Sequence, residues 1–230
     1  MKFSVVIPTW NEGAQIGSAL KRLRQVSQSS PLEIILVDGN STDDTVAQAR
    51  DWADQVISLP NANRGEQFDA GAHKATGELL FFLRADCQPP DSWQQALEHF
   101  WLSASNRKVA ATAFAVDYGS GFSMRLAARW SNSRVSLRGA AFGEHGLCTT
   151  PEIYKESGGY PHYACLEDMG FCERLQKIGR IVLMPERIWP AARRMRRDGP
   201  LMTGMRHLWL RARFSMGTSP DELWKTYGGL

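Results

Sequence analysis

No apolar run in this sequence approaches the roughly eighteen residues that a membrane-spanning helix needs, which argues against a helix that crosses a bilayer. Cysteine is scarce as well. Cys87, Cys148, Cys165 and Cys172 form no C-x-x-C pair and lack the framework of a small secreted domain, so free thiols in a reducing compartment are expected. The N-terminus offers one lysine, a short apolar run and then Pro8, with no small-residue cleavage site, and so does not read as a signal peptide. There is no internal repeat and no low-complexity tract. Together these absences point to a cytoplasmic globular protein.

At 230 residues, with 43% hydrophobic and 22% charged residues, the chain is long enough for one large α/β unit with a substantial core. Net charge is only +3, but it is unevenly placed. Residues 1–116 carry 10 Lys+Arg against 13 Asp+Glu, and residues 117–230 carry 17 against 11. The basic second half is suited to an anionic ligand or surface, or is simply a solvated basic face.

The first half alternates strand and helix. Lys2–Pro8 is short, β-branched and closed by proline, and so reads as a strand; Leu32–Val37, Gln55–Leu59 and Leu79–Leu83 follow. Between them, Ala14, Ile16, Ala19, Leu20 and Leu23 trace one helix, Val46 to Ala53 a second, and Gly65 to Ala75 a third. This order predicts a parallel sheet with right-handed crossovers. Leu79–Leu83, five apolar residues in a row, reads as a central strand covered on both faces. Gly71, inside the third helix, would cost about 1 kcal/mol relative to Ala unless close packing or a ligand's approach offsets it.

Beyond a helix at about Asp91–Ser103 and a strand at Val109–Val116, the alternation stops. Phe122, Leu126 and Trp130 lie four apart among Arg125, Arg129, Arg134 and Arg138, describing a basic amphipathic helix. Leu147–Thr149 and Ile181–Met184 read as further strands. Glu167 and Asp168 open a helix, where the dipole favours acids, and on residue type alone they read as structural rather than catalytic. Ala192–Pro200 is a dense basic run, followed by a Trp- and Arg-rich segment to Phe214 and a short helix opened by Ser219-Pro220. No composition break marks a linker.

Three carboxylates, Glu12, Asp38 and Asp86, end three strands that a parallel sheet brings to one edge, the edge where open α/β sheets bind ligands. That set suits a polar ligand, with Asp86 and phosphate oxygens holding magnesium or manganese. Simple loop capping by Glu12 and Asp38 is the alternative.

Val5-Val-Ile-Pro-Thr-Trp-Asn-Glu12, Val37-Asp-Gly-Asn-Ser-Thr-Asp43, Arg64-Gly-Glu-Gln67 with Gly71, Ala85-Asp86 and Leu166-Glu-Asp168 together resemble the family 2 glycosyltransferases of GT-A fold. The resemblance is closest to a short, soluble bacterial-type subgroup whose tail carries Ala-Arg-Arg, a basic Gly-Pro stretch and a terminal Ser-Pro helix. It covers essentially the whole chain. It implies a Rossmann-like, mostly parallel central sheet with helices on both faces and a C-terminal helical extension, in one GT-A domain. Within that domain, residues 1–116 would bind the nucleotide sugar, 117–192 the acceptor and catalytic groups, and 193–230 would form the basic extension.

By the same resemblance, Pro8 to Glu12, with Asp38, would hold the base and ribose of a nucleotide sugar, with Arg64, Gln67 and Gly71 as further donor-site residues. Asp86 would bind a divalent cation, Mg2+ or Mn2+, at the diphosphate. Asp168 would be the catalytic base of an inverting transfer from a UDP-linked sugar, and Arg193 and Arg194, with Arg196 and Arg197 as further candidates, would add guanidinium contacts to the phosphates. The chain departs from the family pattern where Asp-x-Asp becomes Arg84-Ala85-Asp86, where Asp69 replaces Asn, and where Glu144-His145 replaces Asp-Gln.

Two other readings stand beside this one: a nucleotide-sugar-binding protein without catalysis, and a nucleotidyltransferase. The second lacks its Gly-rich basic loop after strand one, where Thr9-Trp10-Asn11-Glu12 stands instead. No module for reading nucleic acid is evident. The segments 122–138 and 201–214 could rest on an anionic membrane at its inner face, where a lipid-linked acceptor would be found.

Overall fold

The computed structural model describes residues 1–103, 108–191 and 197–227. Its first half runs β1 (Phe3–Thr9), α1 (Gly13–Val26), β2 (Leu32–Asp38), α2 (Thr45–Ala49), β3 (Gln55–Ser58), α3 (Arg64–Lys74), β4 (Leu79–Phe82), β5 (Cys87–Gln88), α4 (Trp93–Ser103) and β6 (Val109–Val116). The second half adds α5 (Phe122–Arg138), a 3-10 turn at Gly143–His145, β7 (Leu147–Thr149), α6 (Pro151–Ser157), α7 (Glu167–Gln176), β8 (Arg180–Pro190), α8 (Pro200–Ser215) and α9 (Pro220–Tyr227).

Eight strands lie in the order β3-β2-β1-β4-β7-β6-β8-β5, so strands from both halves share one sheet. β3, β2, β1 and β4 are parallel, in register from Phe3 opposite Leu32 and Leu79 to Thr9 opposite Asp38. β7 runs against both of its neighbours, β4 and β6. The carboxyl ends of β1, β2 and β4 therefore meet the chain that enters β7, and this junction is the edge that carries the candidate site.

Hydrophobic burial covers both faces of the sheet. On one face, Ile16, Leu20 and Leu23 of α1 and Trp93 and Leu97 of α4 pack on Phe3, Val5, Leu79 and Phe81. On the other, Phe68 of α3, Tyr154 of α6 and Phe171 of α7 pack on Val6, Val37, Leu80 and Phe82. Leu79 to Phe82 are all buried, which is why that strand shows no polar alternation. Pro8 sits just past the β4 ladder, which closes with Leu83 N–H on the Val6 carbonyl. Its missing N–H faces the side where no further pairing is needed.

Two elements differ from the sequence expectation. β8 continues past Met184 to Pro190 across a register shift between Phe114 and Ala115. Its far end then pairs with β5, a two-residue strand too short to show any periodicity. Both features bring the chain back to Asp86, whose carbonyl accepts the Ala191 N–H.

Candidate active site

At the β1–β2 end, two loops are laced together. Asn11, at φ 54°, donates its N–H to Ser41 Oγ (2.8 Å) and accepts the Thr42 N–H (2.9 Å). Glu12 N–H donates to Thr45 Oγ1 and Gly13 N–H to Asp43 Oδ2. Asp38, 2% exposed, accepts from the Ser41 N–H, the Ser41 hydroxyl and the Thr9 hydroxyl. Its carboxylate thus braces the loop in this conformation. Glu12, half-buried beside it, accepts from the Gln15 amide.

Past β4 the chain turns at Arg84-Ala85-Asp86. The Arg84 guanidinium forks onto Asp86, Nε to Oδ1 at 3.1 Å and Nη2 to Oδ2 at 3.2 Å. A planar two-bonded fork of this kind is stronger than a single contact. Asp86 beside it raises the guanidinium's pKa further, with Glu144 and Asp168 adding to the effect, so Arg84 is a permanent cation. Among the described residues, no three His, Cys, Asp or Glu side chains gather as a metal cluster.

Asp168 lies in the first turn of α7, 8% exposed, and Glu167 beside it is 2% exposed. Leu166, at φ 62°, turns the chain immediately before them. Asp168 Oδ2 accepts the Gly143 N–H at 2.8 Å, while Oδ1 is buried with no hydrogen-bond partner among the described residues. Burial, reinforced by the neighbouring Glu167 charge, pushes the Asp168 carboxyl up to about 7, against the pull of Arg64, the Gly143 amide and Arg84. Glu167 pairs with Arg64 Nε at 3.1 Å. Asn63, whose side chain accepts the Glu66 N–H, caps α3 and sets Arg64 at its start.

Gly143 is the hinge of the arrangement. A Cβ there would come within 3.1 Å of Asp168 Oδ2 and 3.2 Å of the Arg84 side chain, so the turn before β7 touches both groups at once. Arg64, Glu167, Asp168, Gly143, Arg84 and Asp86 form one contiguous chain of contacts, supplied by α3, α7, the turn before β7 and the end of β4.

Other sequence-picked residues lie outside that chain. Gln67 is 1% exposed and spends both amide hydrogens on the Thr9 and Val37 carbonyls, at 2.8 Å each. Gly71 faces the sheet, where a Cβ would meet Val6 Cγ1 at 2.3 Å. Its helical cost is offset by this close helix–sheet packing. Arg193 and Arg194 lie outside the described residues.

The sequence reading missed a buried network beside the turn. Tyr118 donates its hydroxyl to Glu144 Oε1, and Ser131 Oγ lies 3.2 Å from the same oxygen. His145, fully buried, bonds through Nδ1 to the Phe114 carbonyl (2.9 Å), and its Nε2 lies 3.0 Å from Ser131 Oγ. Burial lowers the His145 pKa to about 4, so the ring is neutral, with Nδ1 donating and Nε2 left to accept. Burial works to raise Glu144, yet the Tyr118 hydroxyl and the Arg134 and Arg84 charges together hold its carboxyl below the ordinary range. The acidic and imidazole residues of Gly143-Glu-His-Gly146 were the available signal for this network.

Residues 4–152 match the model of Glycosyl transferase family 2. The chain belongs to that family. An uncharacterised glycosyltransferase of Nostoc sp. is 34% identical over 110 residues, covering 45% of this chain and 34% of the relative. An undecaprenyl-phosphate 4-deoxy-4-formamido-L-arabinose transferase of Sodalis glossinidius is 31% identical over 156 residues, 63% of this chain and 47% of the relative. The matches thus span about a third to a half of these relatives' lengths.

Solved structures agree on the fold. A mannosyltransferase of Pyrobaculum calidifontis, solved with GDP-Man and Mn2+, superposes with a TM-score of 0.66 at 20% identity, covering 97% of this chain and 67% of that one. Glucosyl-3-phosphoglycerate synthase of Mycobacterium tuberculosis, solved with Mn2+, UDP and glucosyl-3-phosphoglycerate, gives 0.59 at 20% identity over 81% of this chain and 70% of that one. The fold is that of a GT-A glycosyltransferase. Family and fold agree, so the chain carries a family 2 glycosyltransferase domain.

Proposed function

We propose that this glycosyltransferase moves a sugar from a nucleoside-diphosphate sugar, UDP-linked, to an acceptor hydroxyl with inversion at the anomeric carbon, Asp168 acting as general base. The observation that carries the reading is Asp168 Oδ1, a buried carboxylate oxygen without a partner on a group whose other oxygen is fixed by Gly143. A general base needs such an open lone pair and a pKa near the working pH, and these are worth about 10²–10⁴ in rate. Asp168 accepts the acceptor's proton through Oδ1. Gly143 and the Arg64–Glu167 pair hold the α7 start in place around it. This reading favours a catalyst over a protein that only senses its nucleotide sugar.

Glu12 and the laced β1–β2 loops would take the base and ribose, and Arg84 would place a fixed positive charge beside the departing diphosphate. Asp86, both of whose oxygens already accept from Arg84, would hold a divalent cation through a remaining lone pair, with diphosphate oxygens as the other hard ligands. Mg2+ or Mn2+ bound there would offset charge on the leaving group. Arg193 and Arg194 follow Ala191 in sequence and would add phosphate contacts. Residues 1–116 would then serve the donor and residues 117–192 the acceptor, a lipid-linked one by likeness to the undecaprenyl-phosphate transferases. A thermal-shift panel of UDP-, GDP- and dTDP-sugars with Mg2+ or Mn2+ tests the reading. It expects a UDP-sugar to raise the melting temperature most, and no response to any nucleotide would overturn it.

A further inference from the structure

Outside the site described above, a groove of about 410 Å³ lies between α5 and α8. Its walls are apolar, with Leu126 and Trp130 from α5 and Met205 and Leu208 from α8. Its floor is polar and includes Glu144 and Arg134. Glu144 follows Gly143, the residue whose amide holds Asp168, so the floor of the groove abuts the proposed base.

The two helices continue the apolar wall into solvent. Phe122, Trp130 and Leu137 of α5 are 79%, 65% and 82% exposed, and Leu208 and Trp209 of α8 are 58% and 42% exposed. A contiguous exposed apolar surface of this kind marks an interaction site. The charges on the same helices narrow the partner, since α5 and α8 together carry seven arginines and neither Asp nor Glu. The Nε of Arg211, on the groove wall, is buried and finds no acceptor. A water-soluble protein partner would have to meet greasy side chains and an excess of positive charge together. An anionic bilayer meets both, because its acyl region takes Phe, Leu, Met and Trp while its phosphates take arginine heads on snorkelling stems.

We propose that α5 and α8 lie on an anionic membrane surface, and that the groove between them takes the hydrocarbon chain of a lipid acceptor, delivering its head to Asp168. The docking stands on the α5–α8 surface alone, whereas delivery to Asp168 rests on the transferase reading above. Arg134, stacked on Phe142 at 3.8 Å, closes the inner end of the groove and stops the chain where the head must react.

Two binding measurements test this without any turnover. In vesicle co-sedimentation, the full chain is expected to bind phosphatidylcholine vesicles containing phosphatidylglycerol about tenfold better than phosphatidylcholine alone, with the gain lost in high salt. The double variant Trp130→Glu, Leu208→Glu is expected to lose that binding while keeping the thermal shift by nucleotide sugar. For the groove, a dansyl-labelled undecyl phosphate should blue-shift on binding. Met205→Trp, at a half-exposed position that leaves the core untouched, should abolish the blue shift and leave vesicle binding intact. Equal binding to neutral and anionic vesicles, or self-association through this face with no vesicle binding, would overturn the docking. An unchanged probe signal in Met205→Trp would overturn the groove assignment. Loss of the nucleotide response in the unmodified chain would count against the transferase reading instead.

Discussion

Gly143 donates its backbone N–H to one oxygen of Asp168 at 2.8 Å, and the other oxygen is buried with no partner among the described residues. One bond fixes the carboxylate's orientation, and the open oxygen is what a proton acceptor must present. The groups around this pair determine how the protein should respond to pH and to substitution.

The pH response follows from burial and the Glu167 charge, which raise the Asp168 carboxyl to about 7. Transfer requires the ionised form, so kcat/KM is expected to fall as pH drops through about 7, and a pH–rate profile checks this. Stability moves the opposite way. A carboxyl whose folded pKa is raised contributes stability that is fully present below its unfolded value and is lost as pH rises through about 7. Asp168→Asn should therefore melt above the unmodified protein at high pH, with the gap closing in acid.

Arg84 occupies the place where the family pattern has an acid, and it holds both oxygens of Asp86. Arg84→Ala removes a fixed cation from the site proposed for the diphosphate and takes the guanidinium off both Asp86 oxygens. The expected outcome is a rise in donor KM of about tenfold, the scale of one lost charge-assisted contact. Excess Mn2+ should restore part of the loss. Donor KM measured across a Mn2+ series checks it, and a KM unchanged by the substitution would remove Arg84 from the donor site.

Gly65 allows α3 to approach the loop before α7. A Cβ there would fall 2.0 Å from the Pro161 carbonyl oxygen, a backbone atom that cannot swing away. Gly65→Ala should move the start of α3, weaken the Arg64–Glu167 pair and cost about 1–3 kcal/mol of stability. Urea unfolding measures the cost, and activity should fall with it.

Much of this architecture was legible in the sequence because its signals are local. Buried strands announce themselves as apolar runs, as at Leu79–Leu83, and the strand–helix alternation brings Glu12, Asp38 and Asp86 to one sheet edge. What stayed hidden was contact across distant segments. Asp168 with Gly143, Arg64 with Glu167 and the Tyr118–Ser131–Glu144–His145 network join residues that no periodicity relates. Gln67 and Gly71 show the same limit from the other side. Their residue types fit a ligand site, but the packing turns Gln67 onto strand carbonyls and presses Gly71 against Val6. The exposed face of α5 was visible as a basic amphipathic pattern, yet the groove it forms depends on α8, some seventy residues later in the chain.

The central claim, that Asp168 takes the acceptor's proton, is tested most directly by comparing Asp168→Asn with the unmodified protein in donor binding and in single-turnover transfer. Asparagine keeps the shape and can still accept the Gly143 N–H, so nucleotide-sugar affinity should be unchanged while transfer falls by about 10²-fold or more. Transfer at an undiminished rate in Asp168→Asn, with donor binding intact, would contradict the account.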